Sequence, residues 1–305
     1  MPSNSRRVCV VGGTGFVGRH LCNQLVKDGW QIRVPSRSKN IPAELAVLPD
    51  LQFIQADIYD QATLQWLFNG CDCVINLVGI LNERGDNGQG FYKAHVQLTD
   101  KIINACLQTK VRRYLHMSAL QASAARGPSH YLRTKGMAEE RAHQAASADL
   151  LVTSFRPSVI FGPDDSFFNR FAKLLKFSRW VFPLACGNAR FAPVYVGDVT
   201  TAFIHALHDE HTIGKRINLC GPNIYTLKQL VEYTAASLGL HTRVIDLGKR
   251  LSRLQASVFE YVPGKPFSLD NFRSTAVDSV CEEDEMTAFK LSATPLEAIV
   301  PFYLK

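Results

Sequence analysis

Apolar residues recur along the chain in two rhythms. Short β-branched runs at 8–11, 30–34, 51–55, 74–79, 114–117 and 150–155 predict strands, and the continuity of the run at 74–79 fits burial on both faces. Between them, apolar positions three and four apart predict helices. One carries Leu21, Cys22, Leu25 and Val26; another covers 61–68; a long one covers 91–109 through Val96, Leu98, Ile102, Ile103, Cys106 and Leu107; another opens at Ser129. Residues 82–90 are polar and glycine-rich and read as a loop. Strands alternating with helices at this spacing predict an α/β fold, a doubly wound parallel sheet.

The alternation loosens after Phe161-Gly162-Pro163. A basic, aromatic-rich helix is predicted over 167–177, loop and extended chain over 180–191, a helix from Val196, a short strand over 216–219 and a helix over 226–238 with Thr226 as its cap. Then come an extended stretch at 241–247, a basic stretch (Lys249, Arg250, Arg253), a Pro-Gly-Lys-Pro turn at 263–266 and an acidic patch at 282–285.

Chemistry enters at the first strand-to-helix turn, Gly12-Gly13-Thr14-Gly15-Phe16-Val17-Gly18. A strand, a glycine-rich turn and a helix in that order are the context a dinucleotide fingerprint needs. The first glycine permits the tight turn, the second lets backbone approach a pyrophosphate, and the third allows close helix–strand packing. The helix adds unpaired N–H groups and the positive end of its dipole. On this pattern, 1–160 and 194–220 form a Rossmann-type NAD(P)-binding domain, and 161–193 with 221–305 form a smaller, interleaved lobe on the substrate side.

The second strand runs into Pro35-Ser36-Arg37-Ser38-Lys39, with no carboxylate for ribose hydroxyls. A guanidinium beside small hydroxyls suits a 2′-phosphate, so NADP(H) is expected in preference to NAD(H). Asp57, followed by Ile58, fits either the adenine amino group or the cap of helix 61–68. Gly79, after Leu77 and Val78, would let a ribose lie against backbone.

The totals narrow the class. Hydrophobic residues make up 46% of the 305 and charged residues 20%, as in globular proteins. No apolar run reaches the length of a membrane span, and a first strand at Val8 leaves no room for a leader, so the cytoplasm is expected, with peripheral contact at the inner face of a membrane compatible. Lysine and arginine total 34 against 27 acids, a net charge of +7. That suits an anionic cofactor or an anionic surface; no basic stripe interleaved with aromatics points to nucleic acid. The eight cysteines are scattered with no metal-ligand spacing, so no metal is expected and buried reduced thiols are.

The glycine turn, Asp57-Ile58, Asn76-Leu77-Val78-Gly79 and Tyr131-x-x-x-Lys135 together resemble the short-chain dehydrogenase/reductase superfamily. Arg156-Pro157-Ser158-Val159-Ile160-Phe161-Gly162 and Pro193-Val194-Tyr195-Val196-Gly197-Asp198-Val199 resemble its extended, epimerase/dehydratase-like or atypical members. A narrower set, Ala94-His95-Val96, Tyr131-Leu132-Arg133-Thr134-Lys135, 161–169 and Pro263-Gly264-Lys265-Pro266, is similar to the dehydrogenase-like accessory subunit of respiratory complex I and its bacterial homologues. The resemblance implies Tyr131 as general acid/base, Lys135 lowering its pKa, and Ser118 as a hydroxyl past the fifth strand, although alignment leaves Ala119 on the usual place. Tyr131 and Lys135 stand at i and i+4 and so share one helix face. The implied cofactor contacts are residues 12–18, Ser36, Arg37, Asp57, Ile58, Leu77, Val78, Gly79, Met117, Tyr131, Lys135 and Pro157. His95 replaces the usual helix Asn and fits either a donor to substrate or a satisfied core histidine.

Two functions follow. One is an NADP(H)-dependent oxidoreductase acting on a hydrophobic carbonyl or quinone-like substrate, with Phe167, Phe168, Phe171, Phe177 and Trp180 read either as a pocket wall or as core. The other is a non-catalytic NADP(H)-binding subunit or assembly factor of a respiratory or ubiquinone-synthesis complex, with Lys173, Lys176, Arg179, Lys249, Arg250 and Arg253 facing a partner or acidic lipid. A nucleotide-sugar epimerase or dehydratase is the third and weaker option.

Overall fold

The computed structural model describes residues 6–304 except 179, 263–264, 283–285 and 287–291. Arg179, the first half of the 263–266 turn and most of the acidic patch therefore lie outside the described residues.

Seven parallel strands form the central sheet in the order β11-β6-β5-β4-β1-β2-β3. They are β1 (Arg7–Val11), β2 (Gln31–Ser36), β3 (Leu51–Gln55), β4 (Cys73–Asn76), β5 (Arg113–Met117), β6 (Leu151–Pro157) and β11 (Arg216–Leu219). Chain order reverses between β1 and β4, so the crevice for a ligand opens at their C-terminal ends. On one face lie α1 (Phe16–Lys27) and α8 (Val196–His208), which bury Leu21, Leu25, Val199 and Phe203 with Val8, Val10 and Phe155 of the strands. The Phe155 and Phe203 rings sit 4.1 Å apart there. On the other face α3 (Gln61–Phe68), α5 (Leu98–Thr109) and α6 (His130–Gln144) bury Leu64, Phe68, Ile102 and Ala142 against Cys9, Val11, Tyr114 and Val152. Each large side chain so buried contributes about 1.5–3 kcal/mol.

Four departures from the sequence pattern have local causes. β4 ends at Asn76, because the Val78 N–H turns back to the Asn76 side-chain oxygen (3.1 Å) instead of continuing the ladder. The helix expected over 91–109 starts as Gln89–Tyr92, passes through a π-helical turn at Lys93–Gln97 and only then becomes α5. Within 180–191 lie two short strands, β8 (Val181–Leu184) and β9 (Arg190–Phe191); β8 pairs in parallel with β13 (Arg243–Asp246). Cys220 and Cys281 form a disulfide across 61 residues, correcting the expectation of reduced thiols throughout. Ala192 N–H donates to Ser279 O (2.9 Å), which lays 276–282 beside β9 and brings Cys281 to the end of β11. Cys9, Cys22, Cys71, Cys73 and Cys106 are buried thiols, and burial pushes their pKa up, Cys22 to about 12.

Away from the sheet, α7 (Phe168–Phe177) and α9 (Leu227–Ser237) pack on two further apolar clusters. Phe168 is buried in one, with Phe161 and Leu230; Phe167 and Phe171 pack on the other, with Leu175 and Val231. These aromatics are core, which decides against a pocket wall, while Phe177 and Trp180 are exposed.

Candidate functional site

The glycine turn is shaped by what side chains would hit. Gly12 has φ +88°, and a Cβ there would lie 3.1 Å from Val78 N on the neighbouring strand end. A Cβ on Gly18 would stand 2.5 Å from Gly12 O, so the first turn of α1 packs directly on the loop. Gly15 closes the loop through its N–H to Gly12 O (3.0 Å) and precedes α1 in extended conformation with no side-chain cap. No acid occupies the first turn, which leaves this helix end open to an anion. Phe16 of the same turn lies near Gly162, whose added Cβ would meet the Phe16 ring at 3.5 Å.

At the far end of the crevice, Ser36 Oγ accepts the Ser38 N–H (3.2 Å) and Arg37 is exposed. Arg37 lines a cavity of about 530 Å³ with Gln55, Ala56, Asp57, Tyr59 and Lys93. Asp57 holds the Tyr59 N–H (2.9 Å), while Asp60 caps α3 through the Thr63 N–H (2.8 Å), so the capping alternative for Asp57 is resolved against it. Ile58 and Val78 pack on the core edge beneath. Sequence reasoning missed Lys93, whose ammonium lies 5.0 Å from the Tyr59 ring centre; only the π-helical turn reveals its direction.

The third corner forms around α6. Ser129 caps the helix through the Leu132 N–H (3.0 Å), and the buried Asp270 of α11 (Leu269–Ser274) accepts the His130 and Tyr131 N–H groups (2.7 and 3.1 Å). Lys135 reaches between two strand ends and donates to Met117 O (2.9 Å) and Val78 O (3.2 Å). A Cβ on Gly79 would sit 3.2 Å from its Nζ. Burial lowers the Lys135 pKa to about 8, opposed by Glu139 one turn away, which is itself paired with Arg156 (2.9 and 3.0 Å). Tyr131 is pushed up to about 12 by burial, its ring set against His95 and Phe91 at 5.6 and 6.1 Å, so the expected lowering by Lys135 is overturned: desolvation of the phenol outweighs it. Its hydroxyl makes no hydrogen bond among the described residues.

Ser118 and His95, both buried, contrast sharply. Ser118 donates its N–H to Phe155 O (2.8 Å), but its Oγ has no hydrogen-bond partner, an uncommon and costly state. His116 Nε2 is likewise unpartnered, while its Nδ1 meets Tyr114 OH at 3.0 Å. His95 is complete: Nε2 accepts the Ile80 N–H (3.3 Å), Nδ1 meets Thr134 Oγ1 (2.9 Å), and burial beside Lys135 holds it neutral. Of its two sequence readings, the core histidine holds.

Tyr131, Lys135, Val78, Gly79 and Met117 thus converge. Leu77 packs into the core beneath, and Pro157 O accepts the Leu120 N–H (2.9 Å) one strand away. Asp86, His130 and Asp270 also approach one another, but Arg273 holds Asp86 through two bonds (2.6 and 2.7 Å) and the helix amides hold Asp270.

The profile of the NAD dependent epimerase/dehydratase family matches residues 8–220. NADH dehydrogenase [ubiquinone] 1 alpha subcomplex subunit 9, mitochondrial, of Arabidopsis thaliana is 28% identical over 96% of this chain and 77% of its own length. A ceramide reductase of Caulobacter vibrioides is 28% identical over 65% of this chain and 59% of its own. A dTDP-glucose 4,6-dehydratase of Streptomyces venezuelae, solved with NAD, shares the fold at TM-score 0.67 and 21% identity, over 79% of this chain and 84% of that one.

Proposed function

The chain belongs to the NAD dependent epimerase/dehydratase family, and from that premise we propose an NADP(H)-dependent oxidoreductase that reduces a hydrophobic carbonyl or quinone-like compound. The residues present fit a nicotinamide dinucleotide. A Cβ at Gly12 would press on the Leu77–Val78 backbone and one at Gly79 on the Lys135 ammonium, so glycine keeps these groups close together, and the α1 end is open to a pyrophosphate. Arg37 and Lys93 beside one cavity, with no acid ending β2, favour the 2′-phosphate form. When bound, the nicotinamide supplies the two-electron equivalent.

The observation that carries the reading is the unpartnered Ser118 Oγ in the Lys135–Tyr131 corner. Ser118 follows Met117, whose carbonyl holds Lys135, and precedes Ala119, which packs in one cluster with Tyr131. That hydroxyl is closed to solvent, and a substrate carbonyl oxygen would satisfy it on displacing the groups that cover it. Tyr131, protonated at pH 7, donates the proton to the same oxygen. Lys135 spends two of its three N–H bonds on backbone and keeps the third for ribose hydroxyls. Ala119, Ala122, Leu132 and Val277 make this corner apolar, and 161–193 with 221–305 is assigned to the substrate side.

The test is a purified protein challenged with NADPH and a panel of long-chain carbonyls and quinones. Consumption of NADPH supports the reading, and a redox-inert nucleotide overturns it in favour of an accessory or assembly subunit. That second reading is favoured by Ala119 standing where the resemblance expects a hydroxyl, and by a relative named as a complex I subunit.

A further inference from the structure

A surface far from the glycine turn carries unexplained apolar side chains. Helix α10 (Gly248–Phe259) buries Ser252 and Ala256 but exposes Leu251, Leu254 and Val258. These three, with Tyr261 just past the helix, follow one another at spacings of three, four and three, a single helical stripe. Cys186 N–H donates to Ser252 Oγ (3.0 Å) and Gln255 donates to Pro183 O (3.2 Å). The helix therefore runs back along β8 towards Trp180. Val181 and Ile245 stand exposed on the outer side of the β8–β13 pair. Beyond them, Phe177, Trp180 and Tyr261 are 90%, 85% and 91% exposed.

Charge selects the occupant. Lys249, Arg250 and Arg253 are exposed on the side of α10 next to the stripe, Arg243 is exposed on β13, and Lys173 is exposed on α7. Residues 167–183 contain no acid. The two acids of 243–262 are engaged: Asp246 holds Gly187 N–H and Asn188, and Glu260 pairs with Lys265 and holds the Leu269 N–H. An apolar stripe on a surface helix, flanked by arginine and lysine and ending in tryptophan and tyrosine, matches the interface of a bilayer with anionic headgroups.

We propose that this face docks the protein on an anionic membrane surface, with α10 lying in the interface plane and Trp180 and Tyr261 at headgroup depth. The inference does not depend on turnover, because the face and the Tyr131 corner share no residue.

The test is co-sedimentation of the full chain with phosphatidylcholine vesicles, with and without phosphatidylglycerol. Partition is expected only with the anionic lipid, and to fall with salt. Each basic residue near the surface contributes about fivefold, so Lys249→Gln/Arg250→Gln/Arg253→Gln should lower partition roughly a hundredfold. Leu254→Ser/Trp180→Ser changes only exposed side chains and should abolish insertion with an unchanged melting curve. In a Trp66→Phe background, lipid binding should shift Trp180 emission to the blue and brominated lipid should quench it. Absence of anionic-lipid binding, equal binding by either variant, or a solution dimer that Leu254→Ser dissolves would overturn the proposal.

Discussion

The glycine turn and the Tyr131 corner are built by opposite means. The turn is made by omission: at Gly12 and Gly18 a side chain would strike neighbouring backbone, so glycine lets the loop, the β4 end and α1 close on one another and leaves backbone groups as its chemistry. The corner is made by buried polar side chains, of which Lys135 is held by two carbonyls and Ser118 by none. A surface made by omission can bind but has no proton to give; a corner with an unmet hydroxyl and a neutral tyrosine has one. Binding and chemistry should therefore come apart under mutation.

The largest separation is expected from Tyr131→Phe. Turnover should fall on the order of 10²–10⁴-fold, with nucleotide affinity by calorimetry within about threefold of the parent; parallel loss of both would merge the two regions. Gly18→Val tests the converse. Its Cβ collides with the loop backbone, so NADPH affinity should drop at least about a hundredfold, with strain of about 1–3 kcal/mol in the melt.

Lys135 joins the two regions and carries a pH signature. Its folded pKa of about 8 lies below the ordinary 10.5, so the unfolded chain binds more protons between those values. The desolvation cost is fully present below pH 8 and relieved as pH rises through the window. The parent should therefore gain up to about 3 kcal/mol relative to Lys135→Met between pH 8 and 10.5, read from denaturant midpoints. An identical pH profile for the two proteins would show that Lys135 is not buried as a cation. The smallest effect belongs to Arg37→Ala: roughly tenfold weaker NADPH binding with NADH unchanged. An equal loss for both nucleotides would remove the 2′-phosphate assignment.

The two regions also differ in how far sequence reveals them. The turn was legible because its requirements are local: glycine spacing, the preceding strand and the following helix stand within about fifteen residues. The sheet was legible for the same reason, since burial on two faces writes continuous apolar runs. The corner depends on distant partners. Asp270 reaches the N-terminus of α6 from 139 residues away, and nothing in its neighbourhood marks it. His95 fits two readings in sequence, and only its bonds to Ile80 and Thr134, distant in the chain, decide between them. The π-helical turn that directs Lys93 to the cavity that Arg37 also lines covers only five residues inside a long helical pattern, too few for its shifted spacing to stand out in the sequence. Cys220 and Cys281 meet only because 276–282 runs beside β9.

On the proposed function, the corner reduces a carbonyl with equivalents from a nucleotide held by the turn. NADPH carrying deuterium at its transferable position tests it most directly, with mass spectrometry of the products formed from the long-chain carbonyl panel. Deuterium is expected on the carbinol carbon with the parent protein, and at least about a hundredfold less of it with Tyr131→Phe in the same time. Deuterium that stays on the nucleotide across the whole panel with the parent protein would contradict it.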